Sequence, residues 1–242
     1  MNSASATADP IVSRGFEPPV ARLPTLRPVP VPAPGDTVLV LDADGAVRSA
    51  LVRLLSSAGY QVEAFASGAD YLQAQQAAGP DSPACLVLDL RMPDMSGFDV
   101  MAALAARGVL IPVIFVTGFG TIPLTVQAMK LGAVEFLTRP VAPDDLLAAV
   151  AGAIALDASQ RRQRQQLACL RARYASLTPR ERETMELVIG GLLNKQIADA
   201  LGVSEIMAKT HKRKVMEKMA ARSLPDLVRD AQRLQVVQSR SR

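Results

Sequence analysis

The chain has 242 residues, 49% of them apolar, and a formal net charge of +4. That length suits two modest domains, and no apolar run approaches the roughly 20 residues of a membrane-spanning helix. A single histidine, His211, and two cysteines, Cys85 and Cys169, exclude a His-rich metal centre and a disulfide scaffold, and leave no Ser-His-Asp triad unless His211 serves.

Residues 1–35 contain eight prolines, and "LPTLRPVPVPAPG" can neither continue a helix nor pair as a central strand. This stretch reads as a disordered, polyproline-like arm. It lacks a basic segment followed by an apolar run, which argues against a signal peptide and for a cytoplasmic protein.

From 37 to about 155, apolar runs alternate with amphipathic segments. "TVLVLD", "YQVEAFA", "ACLVLD", "IPVIFVTG" and "VEFLT" each precede a helical pattern. Five such pairs predict an α/β domain, a doubly wound five-stranded parallel sheet with helices on both faces. Ligands of such sheets bind at the carboxyl ends of the strands. Asp42, Asp89 and Thr117 stand at three of those ends, and Arg139 follows the fifth.

The last helix of this unit is expected to run on through "DASQRRQRQQLACLRARYASL", charged all round as a solvent-bridging linker is. Helices are then predicted at 179–190, 194–201, 204–220 and 224–234. Thr178, Pro179 and Glu181 form a helix-start signature, and "ALGVS" reads as a helix end, a glycine turn and a cap at Ser204. Helix, tight turn and helix describe a small all-α helix-turn-helix domain. The boundaries are a Pro-rich arm at 1–35, the α/β domain at 36–155, a helical linker at 156–173 and the all-α domain at 174–242.

Charge divides along the same lines. Residues 36–157 carry 6 basic and 13 acidic groups, whereas residues 158–242 carry 18 basic and 8 acidic groups. The second half has the charge footprint of a nucleic-acid binder.

"VLVLDADGAVR", "LVLDLRMPDMSGFDVM", "PVIFVTG" and "GAVEFLTRP" make residues 37–155 resemble the receiver domain of bacterial response regulators, a flavodoxin-like fold. The resemblance implies Asp89 as phosphoacceptor and a receiver pocket of Asp42, Asp44, Thr117 and Arg139. It also implies Thr117 and Phe136 as the switch pair, and a cis bond before Pro140. A Mg²⁺ site on Asp42 and Asp89 is implied too. A hard cation is what such chemistry needs, because an aspartate and a phosphoryl dianion repel each other.

Two letters depart from that pattern. Ala43 stands where a second adjacent acidic ligand is expected, and Arg139 where the family has lysine. Arginine keeps the charge but replaces a compact donor with a planar fork. "TGFGT" also replaces the family's "TGHGD". The expectation is a receiver whose phosphorylation at Asp89 is weakened or dispensable, with control by dimerisation or a protein partner as the alternative. Asp-Ala-Asp-Gly after a strand also opens haloacid-dehalogenase-type phosphatases, with Asp42 as nucleophile and Asp44 as acid–base. That reading lacks a later acidic pair at a strand end and leaves "MPDMSG" unexplained, so no enzyme activity is expected.

"LTPRERETMELV", "NKQIADALGVSE" and "HKRKVMEKM" make residues 174–236 resemble the helix-turn-helix output domain of NarL/FixJ (LuxR-type) regulators, in its FixJ-like branch. On the second helix of the motif, Lys209, Thr210 and Arg213 are expected at base edges. Lys195, Lys212 and Lys214 are expected at phosphates, His211 as a packed or phosphate-neighbouring side chain, and Ala208, Val215 and Met219 on the core face. The resemblance implies double-stranded DNA, a second copy of the chain, a sensor histidine kinase and RNA polymerase as partners, and no membrane. It places a dimer face over 129–141, including Met129, Lys130, Phe136 and Val141. A pure protein-docking module is the reading left if the chain fails to bind DNA.

Overall fold

The computed structural model describes residues 32–33, 35–77 and 85–236. The Pro-rich arm lies outside the described residues except for 32, 33 and 35. Strands β1 (Thr37–Leu41), β2 (Gln61–Phe65), β3 (Cys85–Leu88), β4 (Val113–Thr117) and β5 (Glu135–Thr138) alternate with helices α1 (Gly45–Ser57), α2 (Gly68–Ala77), α3 (Gly97–Ala106), α4 (Ile122–Lys130) and α5 (Pro143–Ala175). The sheet is wholly parallel, in the order β2-β1-β3-β4-β5. The chain leaves β1 to one side and returns at β3 on the other. The crevice therefore opens beyond the carboxyl ends of β1 and β3.

Strand residues alternate between two cores. Val38, Val40, Val87, Ile114 and Val116 pack under α1 and α5, against Leu51, Leu55, Leu146, Val150 and Ile154. Leu39, Leu41, Leu86, Leu88 and Phe115 pack on the other face, against Tyr71, Val100, Leu104 and Ala128. Coverage on both faces explains why the central strands read as unbroken apolar runs. Cys85 lies inside, and burial pushes its thiol up to about 12.

Helix α5 runs 33 residues, out of the sheet domain and into the second unit. Where it leaves the sheet, Asp157 is buried and paired with Arg161 at 2.5 Å and Arg164 at 3.5 Å. Helices α6 (Pro179–Ile189), α7 (Asn194–Leu201), α8 (Glu205–Met219) and α9 (Leu224–Leu234) follow. Their core gathers Met185, Val188, Ile197, Ala208, Val215, Met219 and Leu227, and it reaches back to Leu170 on α5. Leu170 lies within the stretch read as linker, 156–173, yet packs in this core. The apolar anchor of the second unit sits inside the charged linker helix, where no periodic signal marks it.

Thr178 and Glu181 form the expected capping box at α6. The buried Glu181 carboxylate also pairs with Lys218 of α8 at 2.6 Å. Burial works to raise the pKa of Glu181, but the Lys218 bond and the Thr178 amide outweigh it and hold the group below its ordinary value of 4.5. Its stabilisation is thus fully present above that value and is lost as pH falls through the lower folded value. Glu181→Ala is expected to destabilise the second unit by about 2 kcal/mol at neutral pH, through the lost cap and the unpaired Lys218. The deficit should shrink on acidification. Urea unfolding at several pH values checks this, and a deficit independent of pH contradicts it.

Candidate functional site: an acidic crevice and a basic helix

Asp42 follows β1, Asp89 follows β3, Thr117 ends β4 and Arg139 follows β5, so the fold brings these four side chains to one crevice. Asp42, Asp89 and Thr117 are buried. The Arg139 guanidinium lies between the two carboxylates. Its Nη2 is hydrogen-bonded to Asp42 Oδ2, stands 4.0 Å from Asp89 Oδ1 and also donates to the Val116 carbonyl at 3.0 Å. The other Asp42 oxygen accepts from the Asp44 amide at 2.9 Å. Burial raises the Asp42 pKa above its ordinary range, against the pull of the Asp44 amide and Arg139. Asp89 Oδ1 accepts from the Leu90 amide at 2.8 Å. The Phe119 amide donates to Thr117 Oγ1 at 3.3 Å. The Arg139–Pro140 bond is cis.

Asp44, expected in the pocket, turns one carboxylate oxygen to the start of α1. Its carboxylate caps α1, accepting from the amides of Ala46 at 2.8 Å and Val47 at 3.2 Å, and these bonds lower its pKa. An Asp three residues past the end of β1 and one before α1 serves the orphan amides there.

These residues do not fit a resident Mg²⁺. Both Asp42 oxygens are engaged by the protein, Ala43 has no ligand atom in its side chain, and Asp44 is a cap. Arg48 donates to the Asp42 and Ala43 carbonyls at 2.7 and 3.3 Å. No three acidic, histidine or cysteine side chains among the described residues group to hold a metal ion. The guanidinium of Arg139 supplies the positive charge beside both carboxylates.

Two neighbours of the crevice have tertiary contacts that the motifs do not state. The Arg91 guanidinium lies 3.8 Å from the centre of the Phe119 ring, joining the loops after β3 and β4 by a cation–π contact. The phenylalanine of "TGFGT" marked the place, but its partner comes from a different loop. The second neighbour is Gly97, on which a Cβ would stand 2.7 Å from the Asp89 carbonyl and 2.7 Å from the Phe115 ring. This explains the glycine of "MSG": the start of α3 crosses directly over the Asp89 backbone, after a Ser96–Asp99 capping box. Gly97→Ala should cost about 2 kcal/mol of receiver stability. An unchanged unfolding midpoint would contradict the close approach.

Phe136 is half-buried, with its ring 5.9 Å from that of Phe115. Beside it, α4 exposes a stripe of Ile122, Val126 and Met129, spaced four and three residues apart on one helix face.

In the second unit α7 ends at Gly202, in the left-handed conformation at φ +66°, and α8 starts at its Ser204 cap. Ala208, Val215 and Met219 are completely buried. That orients Lys209 and Arg213 outward, exposed, with Thr210 and Lys212 half-buried beside them; Lys214 and Lys195 are also exposed. Lys209, Thr210, Lys212 and Arg213 line a groove of about 590 Å³ together with Asn194 and Met216. Asn194 is one letter of the α7 motif, and its Oδ1 is buried without a hydrogen-bond partner among the described residues. His211 is half-buried, with its Nδ1 likewise unpartnered among the described residues. Arg213 pairs with Glu217 at 3.6 Å, both largely exposed.

Two family models match the chain: a response regulator receiver domain over residues 38–151, and the luxR family of bacterial regulatory proteins over residues 175–231. The chain belongs to the response regulators with a LuxR-type output domain. It is 44% identical to nodulation protein W of Bradyrhizobium diazoefficiens, over 81% of this chain and 86% of that one. It is 42% identical to the transcriptional regulatory protein FixJ of Azorhizobium caulinodans, over 80% of this chain and 90% of that one. Among solved structures, the response regulator StyR superposes with a TM-score of 0.75 at 42% identity, over 82% of this chain and 98% of that one. The receiver sheet, the helical output domain and the overall role as a transcriptional response regulator follow from this membership. No helix among the described residues is long and apolar enough to cross a membrane.

Proposed function

We propose that this response regulator binds double-stranded DNA as a homodimer through α8, and that its receiver controls the dimer with little dependence on phosphorylation. The observation that carries this is Arg139, hydrogen-bonded to Asp42 and 4.0 Å from Asp89 in a pocket whose second acidic ligand is Ala43. In a receiver, phosphorylation gains its free energy by drawing a hydroxyl and a cation onto the new phosphoryl oxygens. Here a cation already bridges from the first strand's carboxylate towards the acceptor's. Asp89 is the acceptor in this reading, Thr117 the hydroxyl that would follow it, and Phe136 the ring that moves with Thr117. A sensor kinase remains a partner able to act on Asp89, at a rate set by how readily Arg139 yields.

The dimer surface we assign to α4 and β5, over 129–141 and extended upstream by the exposed Ile122 and Val126. Exposed apolar stripes of this kind mark association sites. On DNA, Lys209 and Arg213 address base edges, while Lys195, Lys212 and Lys214 address phosphates. Thr210 is close enough to the groove to join the first set. RNA polymerase is the downstream partner of a bound dimer.

The test is the mass of the intact protein after incubation with Mg²⁺ and acetyl phosphate. The reading expects at most a small fraction to gain one phosphoryl group. Rapid, complete modification that is lost in Asp89→Asn would establish conventional control instead. Failure to bind any duplex at low salt would replace the DNA-binding half of the reading with a protein-docking module.

A further inference from the structure

Helix α8 carries an exposed apolar residue at the end where a recognition helix meets bases. Ile206, the second residue of α8, is 78% exposed. Residues 206, 210 and 213 are spaced four and three apart and therefore share one face. The Thr210 hydroxyl is turned inward along the helix and donates to the Ile206 carbonyl at 2.9 Å. Its polar atom is thereby engaged, which favours the methyl over the hydroxyl as its outward contact. The face thus runs from an apolar tip, Ile206 and Thr210, to a cationic body, Lys209 and Arg213. An apolar tip beside Glu205, with cations on its C-terminal side, fits the floor of a DNA major groove between phosphate rails. There the thymine C5-methyl is the apolar feature, and guanine offers the paired acceptors.

We propose that Ile206, with the Thr210 methyl beside it, reads a thymine methyl in each half-site, next to the base pair addressed by Arg213. This rests on the DNA-binding reading above and narrows it to a sequence preference. A solvated isoleucine at this position would add nothing to affinity. One seated on a thymine methyl removes that methyl and its own side chain from water together, an effect of about threefold to fivefold in affinity per methyl.

The test uses the full-length chain and a duplex enriched by that chain from a random library. Each thymine in turn is replaced by deoxyuridine, which lacks only the methyl. The protein is unaltered in this arm, so folding cannot confuse the result. One position per half-site should weaken binding about threefold to fivefold. Ile206→Ala should bind the parent duplex more weakly by a similar factor and be indifferent to uracil at that position, since the two changes remove the same contact. Uracil tolerated everywhere, or Ile206→Ala losing affinity equally on thymine and uracil duplexes, would overturn the proposal while leaving DNA binding intact. A library that yields no enriched duplex would overturn the DNA-binding reading, and this inference with it.

Discussion

The double variant Ala43→Asp/Arg139→Lys is expected to take up phosphate from acetyl phosphate and Mg²⁺ about 10- to 100-fold faster than the natural chain. The reasoning is electrostatic. In the natural pocket the Asp42 carboxylate is shared between the Asp44 amide and Arg139, and position 43 offers only a methyl group. Restoring a carboxylate at 43 adds the missing oxygen donors for a hard cation. Replacing the guanidinium with an ammonium removes the planar fork whose Nη2 is held by both Asp42 and the Val116 carbonyl, leaving a mobile point charge. Each single variant should recover less than the pair, because either fault alone still spoils the cation site. Asp89→Asn in the double-variant background should abolish the gain. Intact-mass time courses read all of these outcomes. Equal rates for the natural chain and the double variant would place the obstacle outside the pocket.

The second large effect lies on α8. Arg213→Ala should weaken binding to the enriched duplex by about 1–3 kcal/mol, or about 5- to 150-fold, and relax the preference at one base pair. Lys214→Ala should weaken all duplexes alike and reduce the magnitude of the log–log salt slope by about one per site. Arg213 must leave Glu217 to reach a base. That ion pair is solvent-exposed on both sides, so releasing it costs little. Fluorescence anisotropy over a range of salt separates the two variants. Identical salt slopes and identical sequence preferences would reverse the assignment of base and phosphate contacts.

The sheet and its crevice were legible because burial on both faces imposes unbroken apolar runs that stop at polar letters. Asp42, Asp89 and Thr117 are such stops, and each stands at the carboxyl end of its strand. The output helices were equally plain: Thr178-Pro179 and Ser204 are start signals that local chemistry alone explains. Most of what escaped depends on partners far apart in the chain; Asp44 is the local exception. Asp44 reads the same whether it caps a helix or enters a pocket, until its amide partners are known. The Arg91–Phe119 contact joins two loops, and neither letter announces the other. Leu170 belongs to the output core although it sits among arginines and glutamines, since only the packing of α5 on α8 and α9 defines its environment. Gly97 was visible as a motif letter, but its reason, contact with the Asp89 carbonyl, is tertiary.

The central claim is that the output domain engages DNA without needing a phosphoryl group on Asp89. It is tested most directly by anisotropy of the full-length chain on its enriched duplex, with and without acetyl phosphate and Mg²⁺, beside Asp89→Asn. The account predicts three binding curves that agree within about twofold, a difference of less than 0.5 kcal/mol. A rise of about tenfold or more on adding the phosphodonor, absent in Asp89→Asn, would contradict it.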